Sequence, residues 1–244
     1  LFRKFDICFA SNEQPKKYLG ILGAKKIKNI GNLKFTQTEK NETDLNDDLR
    51  KKFLSRTLWC ASSTHSGEEI FCVHVHKKLK SKHKNLLTII IPRHAERANE
   101  IKNEIEELNL KVHIHSSKNK MPKDTEIYLV DSYGKTKSFF KLCKIVFLGG
   151  SLIKHGGQNP LEAAKYGCEI LHGPNIWNFK EIYDLLKEFK ITGKIKDTNQ
   201  MKRIIQDLLN KKNNSTQIKT KIKKLGNKIF KNTFKEINLF IVKK

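Results

Sequence analysis

One stretch, 146–162, constrains the fold more than any other part of the chain. A short apolar run, 145–148, is typical of a buried strand and breaks into Gly149-Gly150-Ser151. A second glycine pair, Gly156-Gly157, follows a few residues later. Paired glycines after a strand permit positive φ angles and let a ligand approach the backbone closely.

The same stretch ends in a helix start. Asn159 is suited to cap a helix that begins at Pro160, and Glu162 falls in the first turn of that helix. Strand, glycine turns and helix together direct backbone N–H groups and a helix N-terminus to one point, which suits a nucleotide phosphate. Glu162 would then be within reach of ribose hydroxyls. Tight turns and a capping carboxylate would explain one glycine pair, whereas two pairs favour a ligand site. The pattern is neither a Walker A loop nor G-x-G-x-x-G.

Strands alternate with helices from residue 57 to residue 210. This predicts an α/β fold with a Rossmann-like parallel sheet and helices on both faces. Five polar clusters each follow a predicted strand: S-S-T-H-S-G-E-E (62–69), P-R-H (92–94), D-S-Y-G (131–134), G-G-S (149–151) and H-G-P-N (172–175). Ligands of such sheets lie at the carboxyl ends of the strands, so the five clusters are expected to converge on one crevice.

Composition narrows the possible partners. The 244 residues carry a net charge of +24, which suits a nucleic acid or an anionic membrane surface, or simply reflects a lysine-rich composition. The charge is spread along the chain without a dense arginine block or a recognised nucleic-acid motif, so nucleic acid is not favoured as a partner.

No run approaches the roughly 20 apolar residues of a membrane span, and no signal peptide is visible. The chain begins at Leu1, which suggests a fragment or a processed chain.

Several side chains are candidates for contact with an anion. Arg93 follows a strand and offers a planar fork to phosphate or carboxylate, although a surface arginine at a helix start has the same pattern. His65 is suited either to donate to an anionic substrate or to act as an acid–base group. Equally, His65 could cap a helix beside Ser63 and Thr64. Glu68 fits as a plain first-turn carboxylate.

The histidines and cysteines do not predict a metal site. His74 and His76 would face different sides of a helix, and His113 and His115 would share a strand face without a third ligand. Five cysteines are widely spaced without C-x-x-C, which predicts buried thiols in a reducing compartment. No G-x-S-x-G elbow is present, which disfavours a hydrolase triad.

In this order and spacing, the clusters resemble the C-terminal half of the 3-deoxy-D-manno-octulosonic acid (Kdo) transferases, bacterial enzymes that add Kdo to the lipid A precursor. The matching segments are Gly31–Phe35, Ser63–Glu69, Pro92–Arg97, Asp131–Gly134, Phe147–Leu152, Gly156–Glu162, Gly173–Asn175 and Asn178-Phe179.

The resemblance implies a GT-B glycosyltransferase with two Rossmann-like domains, whose C-terminal domain binds the donor, CMP-Kdo. It places the catalytic base, a glutamate, in the N-terminal domain, so no catalytic residue is expected in this chain. The donor-binding residues that it implies are Arg93, His94, Gly149, Gly150, Ser151, Asn159 and Glu162, supported by Ser63, Thr64, His65, Glu68, Gln158 and Asn178. Neither a metal nor any cofactor besides the nucleotide-sugar donor is implied.

The resemblance also divides the chain. Residues 1–35 would end the N-terminal acceptor domain, and 36–52 would form a linker and the start of a charged helix. Residues 53–215 would form the donor domain, and 216–244 a basic helix that packs back toward the N-terminal domain. The implied acceptor is a lipid A precursor, at the cytoplasmic face of the bacterial inner membrane. The protein would be peripheral there or anchored through its N-terminus.

Three positions depart from the family pattern: Gln158 replaces an expected histidine, Ala163 a proline and Lys135 an acidic residue. Lys135 reverses a charge near the crevice and bears on the preference for the donor. Two other hypotheses remain open from the sequence. One is a GT-B transferase that uses a UDP- or GDP-sugar, and the other is a basic α/β module that binds nucleic acid without catalysis.

Overall fold

The computed structural model describes residues 1–36, 45–212 and 214–241. Half of the predicted linker, 37–44, and the end of the predicted C-terminal helix, 242–244, lie outside the described residues. The described residues form two compact units, one made of 1–36 with 220–241 and the other of 45–219. The domain limits given above stay a prediction.

The strands are β1 (Cys8–Ala10), β2 (Ile27–Asn29), β3 (Thr57–Thr64), β4 (Leu86–Pro92), β5 (Val112–Ile114), β6 (Ile127–Leu129), β7 (Ile145–Leu148), β8 (Glu169–His172) and β9 (Thr192–Lys194). The α-helices are α1 (Glu13–Ile21), α2 (Asp47–Leu54), α3 (Glu68–Lys80), α4 (Ala98–Glu107), α5 (Thr136–Phe140), α6 (Leu161–Lys165), α7 (Lys180–Glu188), α8 (Thr198–Asn210) and α9 (Ser215–Ile241).

The smaller unit pairs β1 with β2 in parallel, connected through α1. Asn12 begins α1 because its side-chain oxygen accepts a hydrogen bond from the Gln14 N–H at 2.7 Å. The backbone of α9 lies against the segment after β2: a Cβ atom at Gly226 would stand 2.5 Å from the Phe35 carbonyl oxygen. Only glycine fits so close an approach.

Large apolar side chains are exposed in the smaller unit. They are Leu1, Phe5, Tyr18, Ile21, Leu22, Leu33, Phe230, Phe234, Ile237, Leu239 and Ile241. The rings of Phe230 and Phe234 stack on each other at 6.1 Å, and both are more than half exposed. An exposed apolar patch of this kind is typical of a surface that another chain segment or partner covers. Within the described residues, no helix is both long and apolar enough to cross a membrane.

The larger unit contains a seven-stranded sheet in the order β5-β6-β4-β3-β7-β8-β9, and every pair is parallel. β7 is all apolar, and β4 is apolar except for Thr88. Both strands are buried along their whole length, as apolar runs predict for interior strands of a parallel sheet. The last strand, β9, lies at one side edge of the sheet. The predicted fold class, a parallel α/β sheet covered by helices, is therefore confirmed.

Helices cover both faces of this sheet. One core contains side chains of α3, α4 and α8 together with Trp59, Phe147 and Leu171 of the sheet. On the other face, Phe53 of α2 meets Tyr128 of β6 edge-on at 4.9 Å, and Phe139 of α5 joins them. Four of the five free cysteines are buried, as predicted, and Cys8 is half-buried.

Two helices are irregular at one end. The helix α5 ends at Phe140, because the next residues close a turn in which the Leu142 N–H donates to the Phe139 carbonyl at 3.0 Å. The helix α7 follows a 3₁₀ turn over Trp177–Phe179. Phe179 has φ −131° and ψ 17°, which interrupts a regular helical start.

Candidate functional site

The five polar clusters lie at one edge of the sheet, as predicted. They follow β6, β4, β3, β7 and β8, which are neighbours in that order and all run parallel. From β3 the chain proceeds to β4, β5 and β6 on one side and then returns to β7, β8 and β9 on the other. The reversal makes β3 and β7 the topological switch point, where open α/β sheets bind their ligands. We call this edge the crevice.

A buried carboxylate organises the crevice. The Glu68 side chain is 1% exposed and accepts hydrogen bonds from the backbone N–H groups of Gly150 at 2.6 Å, Ser151 at 3.1 Å and Leu152 at 2.9 Å. It also accepts from the N–H of His65 at 3.0 Å. The expectation that the glycine-loop N–H groups point at a ligand phosphate is corrected here, because these three N–H groups are occupied by Glu68.

The glycine loop is packed tightly against the end of β3. A Cβ atom at Gly149 would stand 2.4 Å from the Ser63 carbonyl oxygen and 2.5 Å from the Thr64 Cα. Gly150 has φ 63°, and a Cβ atom there would lie 3.0 Å from the His155 ring and 3.3 Å from both His65 Nε2 and Gln158 Nε2. Glycine is thus required at 149 by space and favoured at 150 by conformation.

Ser151 belongs to the wall of the site. Its side chain is fully buried, and its hydroxyl donates to the Leu148 carbonyl at 2.5 Å while it accepts from the Gly173 N–H at 2.9 Å. These bonds join the loops after β7 and β8. Ser151 therefore fixes the glycine loop through a hydroxyl that is already hydrogen-bonded, and its part in donor binding stays a prediction.

Three histidines from different strand ends come together at the crevice. The His65 ring lies 4.3 Å from the His155 ring and 6.0 Å from the His94 ring, centroid to centroid. Burial, followed by the positive neighbours His155, His94, Arg93 and Arg97, lowers the pKa of His65 to about 4. Its Nε2 atom is buried and has no hydrogen-bond partner among the described residues. An anion placed among these rings would meet hydrogen-bond donors and positive charge.

Arg93 and His94 lie exposed at the end of β4. The Arg93 N–H donates to the Thr64 carbonyl at 2.9 Å, which fixes this turn against β3. His94 Nδ1 stands 3.3 Å from a carboxylate oxygen of Glu96, and the Tyr133 hydroxyl donates to the other oxygen at 2.7 Å. The hydrogen bond to Thr64 therefore fixes the Arg93 backbone at the crevice, while its side chain is exposed.

The second glycine pair lies against the loop after β8. A Cβ atom at Gly156 would stand 2.2 Å from Asn178 Nδ2, and this amide donates to the His155 carbonyl at 3.2 Å. The Gly157 N–H donates to the Gly150 carbonyl at 2.8 Å. Asn178 thus holds the loop that carries His155, and its predicted support of donor binding stays a prediction.

The helix predicted to begin at Pro160 begins one residue later, at Leu161, with Pro160 at the N-cap position. The Asn159 side-chain oxygen accepts from the Leu161 N–H at 3.1 Å, and Pro160 precedes the first residue of α6. Glu162 lies in the first turn, 40% exposed, with its carboxylate 3.8 Å from Lys137 Nζ. Contacts of Asn159 and Glu162 with a nucleotide stay predictions.

Sequence reasoning missed two features of this site. His155 was given no role, although it immediately precedes Gly156-Gly157. Glu68 was treated as a supporting first-turn carboxylate, whereas it organises the glycine loop.

Within the described residues no group of three or more histidine, cysteine or acidic side chains is placed to hold a metal ion.

Comparison with known proteins identifies the family. No protein-family model matches the chain. The 3-deoxy-D-manno-octulosonic acid transferase of Haemophilus influenzae is 33% identical over 217 residues, which cover 84% of this chain and 49% of that protein. The crystal structure of the C-terminal CMP-Kdo binding domain of WaaA from Acinetobacter baumannii matches with a TM-score of 0.66 and 28% identity, over 72% of this chain and 92% of that domain. The chain belongs to the Kdo transferase family.

The match to Kdo transferases is partial in length. The chain spans about half the length of the curated Kdo transferases that it matches. Its fold is also similar to that of Anabaena HepE in complex with UDP and glucose, with a TM-score of 0.51, 10% identity, and coverage of 99% of this chain and 64% of that one. This third likeness concerns the fold alone and agrees with the GT-B assignment.

Proposed function

We propose that this chain forms the donor-binding half of a Kdo transferase, which transfers Kdo from CMP-Kdo to a lipid A precursor. The observation that carries the proposal is the cluster of His65, His94 and His155 with Arg93 at the switch point of the sheet. CMP-Kdo carries a phosphate and a sugar carboxylate, and both need hydrogen-bond donors and positive charge in a partly dehydrated site.

We assign the donor's two parts to two parts of the crevice. The exposed Arg93 and His94 would contact the phosphate or the Kdo carboxylate, and His65 Nε2, which has no hydrogen-bond partner among the described residues, is available to the same anion. Asn159 and Glu162 at the start of α6 would contact the phosphate and the ribose hydroxyls. The glycine loop that Glu68 binds lies beside the histidines, since a Cβ atom at Gly150 would be 3.3 Å from His65 Nε2.

Transfer breaks the bond between the Kdo anomeric carbon and the CMP phosphate oxygen, and forms a bond from an acceptor hydroxyl oxygen to that carbon. Negative charge grows on the departing phosphate, where the cationic side chains at the crevice stabilise it. The acceptor's proton passes to a base, which the family resemblance places outside this chain. The transfer proposed here uses no metal ion.

The acceptor and the location follow from the same proposal. A lipid A precursor is anionic and held at a membrane surface, and the strongly basic chain suits a peripheral position there, at the cytoplasmic face of the inner membrane. The purified chain alone is expected to transfer no Kdo to a lipid A precursor. Transfer is expected from a longer protein that also contains the half of the relatives to which this chain has no match.

Calorimetric titration with CMP and with UDP tests the donor assignment. We expect saturable CMP binding that is tighter than UDP binding, and weakening of about tenfold or more in Arg93→Ala and in Glu162→Ala, since each removes a charge-assisted contact. Arg203→Ala and Glu107→Ala, both exposed on helices of the larger unit, are the matched controls and should bind as the unmodified chain does.

Tighter binding of UDP or GDP than of CMP would favour the alternative hypothesis, a transferase that uses a UDP- or GDP-sugar as its donor. If the folded chain binds no nucleotide, the titration is repeated with the other half of the protein restored. Absence of CMP binding in that longer protein would overturn the proposal.

A further inference from the structure

A cavity separate from the crevice lies on one face of the sheet, beside the outermost strand β5 and its neighbour β6. It has a volume of about 490 Å³, which is within the range of small-molecule sites. His113 and Tyr128 are opposite each other in the parallel register of β5 and β6, and both line it together with His115. Leu49 and Lys52 of α2 form the opposite wall. None of these residues belongs to the predicted donor set.

The mouth of this cavity is cationic. Four lysines line it, Lys51 and Lys52 from α2 and Lys118 and Lys120 from the loop after β5, against one carboxylate, Asp48. The Lys52 ammonium donates to the Met121 carbonyl at 2.9 Å, which ties α2 to that loop. Among the residues that the structure describes, no carboxylate forms an ion pair with any of the four.

The floor of the cavity is aromatic and rich in neutral hydrogen-bonding groups. The Tyr128 hydroxyl and His115 Nδ1 lie 2.8 Å apart, and the His113 and Tyr128 rings lie 5.7 Å apart. Burial lowers the pKa of both His113 and His115, so both rings are neutral near pH 7. Ser117 and Asn119 add polar atoms at the side. Such a floor suits a hydroxylated ring, which exchanges neutral hydrogen bonds with these groups.

We propose that this cavity is a binding site for a soluble sugar phosphate, with the sugar hydroxyls at His113, His115, Ser117 and Asn119 and the phosphate at the lysines of the mouth. Phosphate is an anion that clustered ammonium groups without carboxylate partners bind as point charges. The ligand is separate from the nucleotide-sugar of the crevice, because the cavity and the glycine loop share no residue.

The test is a titration of the whole chain with glucose 6-phosphate, followed in ¹H–¹⁵N spectra of the histidine rings, with glucose as the uncharged comparison. We expect saturable shifts of the His113 and His115 signals with the phosphate and none with glucose. Lys118→Ala/Lys120→Ala should weaken binding about tenfold or more through loss of two cations. Lys82→Ala/Lys84→Ala removes two exposed lysines at the same spacing elsewhere and should change it less than about twofold.

Lys51→Ala, on a different element, is an independent second variant and should also weaken binding. Unchanged spectra of the remaining histidines in each variant establish that the fold is kept. The proposal is overturned by the absence of saturable shifts, by equal weakening in both double variants, or by shifts confined to His65, His94 and His155. The last result would place the sugar phosphate in the crevice.

Discussion

The Glu68 carboxylate accepts a hydrogen bond from the Gly150 N–H at 2.6 Å, across 82 residues of sequence. The first turn of α3 and the loop after β7 are thereby joined beneath the crevice. An anion supplied by the protein occupies the N–H groups that a phosphate would otherwise meet. The crevice consequently offers side-chain hydrogen-bond donors to an external anion, chiefly the Arg93 guanidinium and the rings of His65, His94 and His155.

Replacing Glu68 should lower the stability of the fold. Each carboxylate oxygen accepts two of the four backbone hydrogen bonds, so in Glu68→Gln the amide NH₂ removes two of them and leaves buried N–H groups unpaired. We expect a loss of about 2–4 kcal/mol in the free energy of unfolding, measured with urea. Glu100→Gln, an exposed residue of α4, should cost less than about 0.5 kcal/mol. Equal effects of the two would refute the role given to Glu68.

Gly149→Ala should be more harmful than a comparable change at an open glycine. The added Cβ would stand 2.4 Å from the Ser63 carbonyl oxygen, so the backbone must move, at a cost of about 3 kcal/mol or more. Gly134 has φ 76° with open space around it, so Gly134→Ala should cost only about 1–2 kcal/mol of conformational strain. Thermal and urea unfolding of both variants distinguish the two causes, and a smaller loss at 149 would contradict the packing.

His76 should make stability depend on pH. Its ring is buried on α3, with Nδ1 2.8 Å from the Thr88 hydroxyl, and burial lowers its pKa to about 3. The unfolded chain binds a proton near pH 6.5 and the folded chain does not, so the free energy of unfolding should fall as pH falls from about 6.5 toward 3. The contribution is at most about 1.4 kcal/mol per pH unit.

Urea unfolding at several pH values measures this slope. His76→Gln should have a shallower slope than His74→Gln, which removes an exposed histidine from the same helix. An unchanged slope in His76→Gln would show that the buried ring does not remain neutral.

The exposed apolar surface of the smaller unit should be detectable in solution. Phe230 and Phe234 are exposed and stacked, so Phe230→Ser/Phe234→Ser should lower the fluorescence of a bound apolar dye with little change in unfolding free energy. Leu54→Ser removes an exposed apolar side chain from the larger unit and should leave the dye signal nearly unchanged. An unaltered signal in the double variant would contradict an accessible patch. This surface suits the predicted packing of the last helix against a further domain.

The sheet and the position of the crevice could be predicted because they depend on local patterns. Continuous apolar runs such as 145–148 are typical of interior strands, and their alternation with helices favours a parallel sheet. The polar clusters then fall at one edge by geometry alone. The order of the strands, which places β3 beside β7, is not contained in any local pattern.

The details of the site depended on contacts that sequence spacing does not reveal. Nothing in the glycine loop indicates that Glu68 will lie beneath it, since any buried acceptor would serve. His155 meets His65 only because two loops from adjacent strands fold toward each other. The family resemblance supplied the donor residues, while the physical roles of Glu68 and Ser151 emerged from burial and hydrogen bonds.

Binding of CMP at the crevice can be followed most directly at the histidine rings in ¹H–¹⁵N spectra of the chain. We expect saturable shifts of His65, His94 and His155 with CMP, much weaker shifts with UDP, and no shift of His113 or His115. Equal responses to CMP and UDP, or saturable shifts only at histidines away from the crevice, would contradict this expectation.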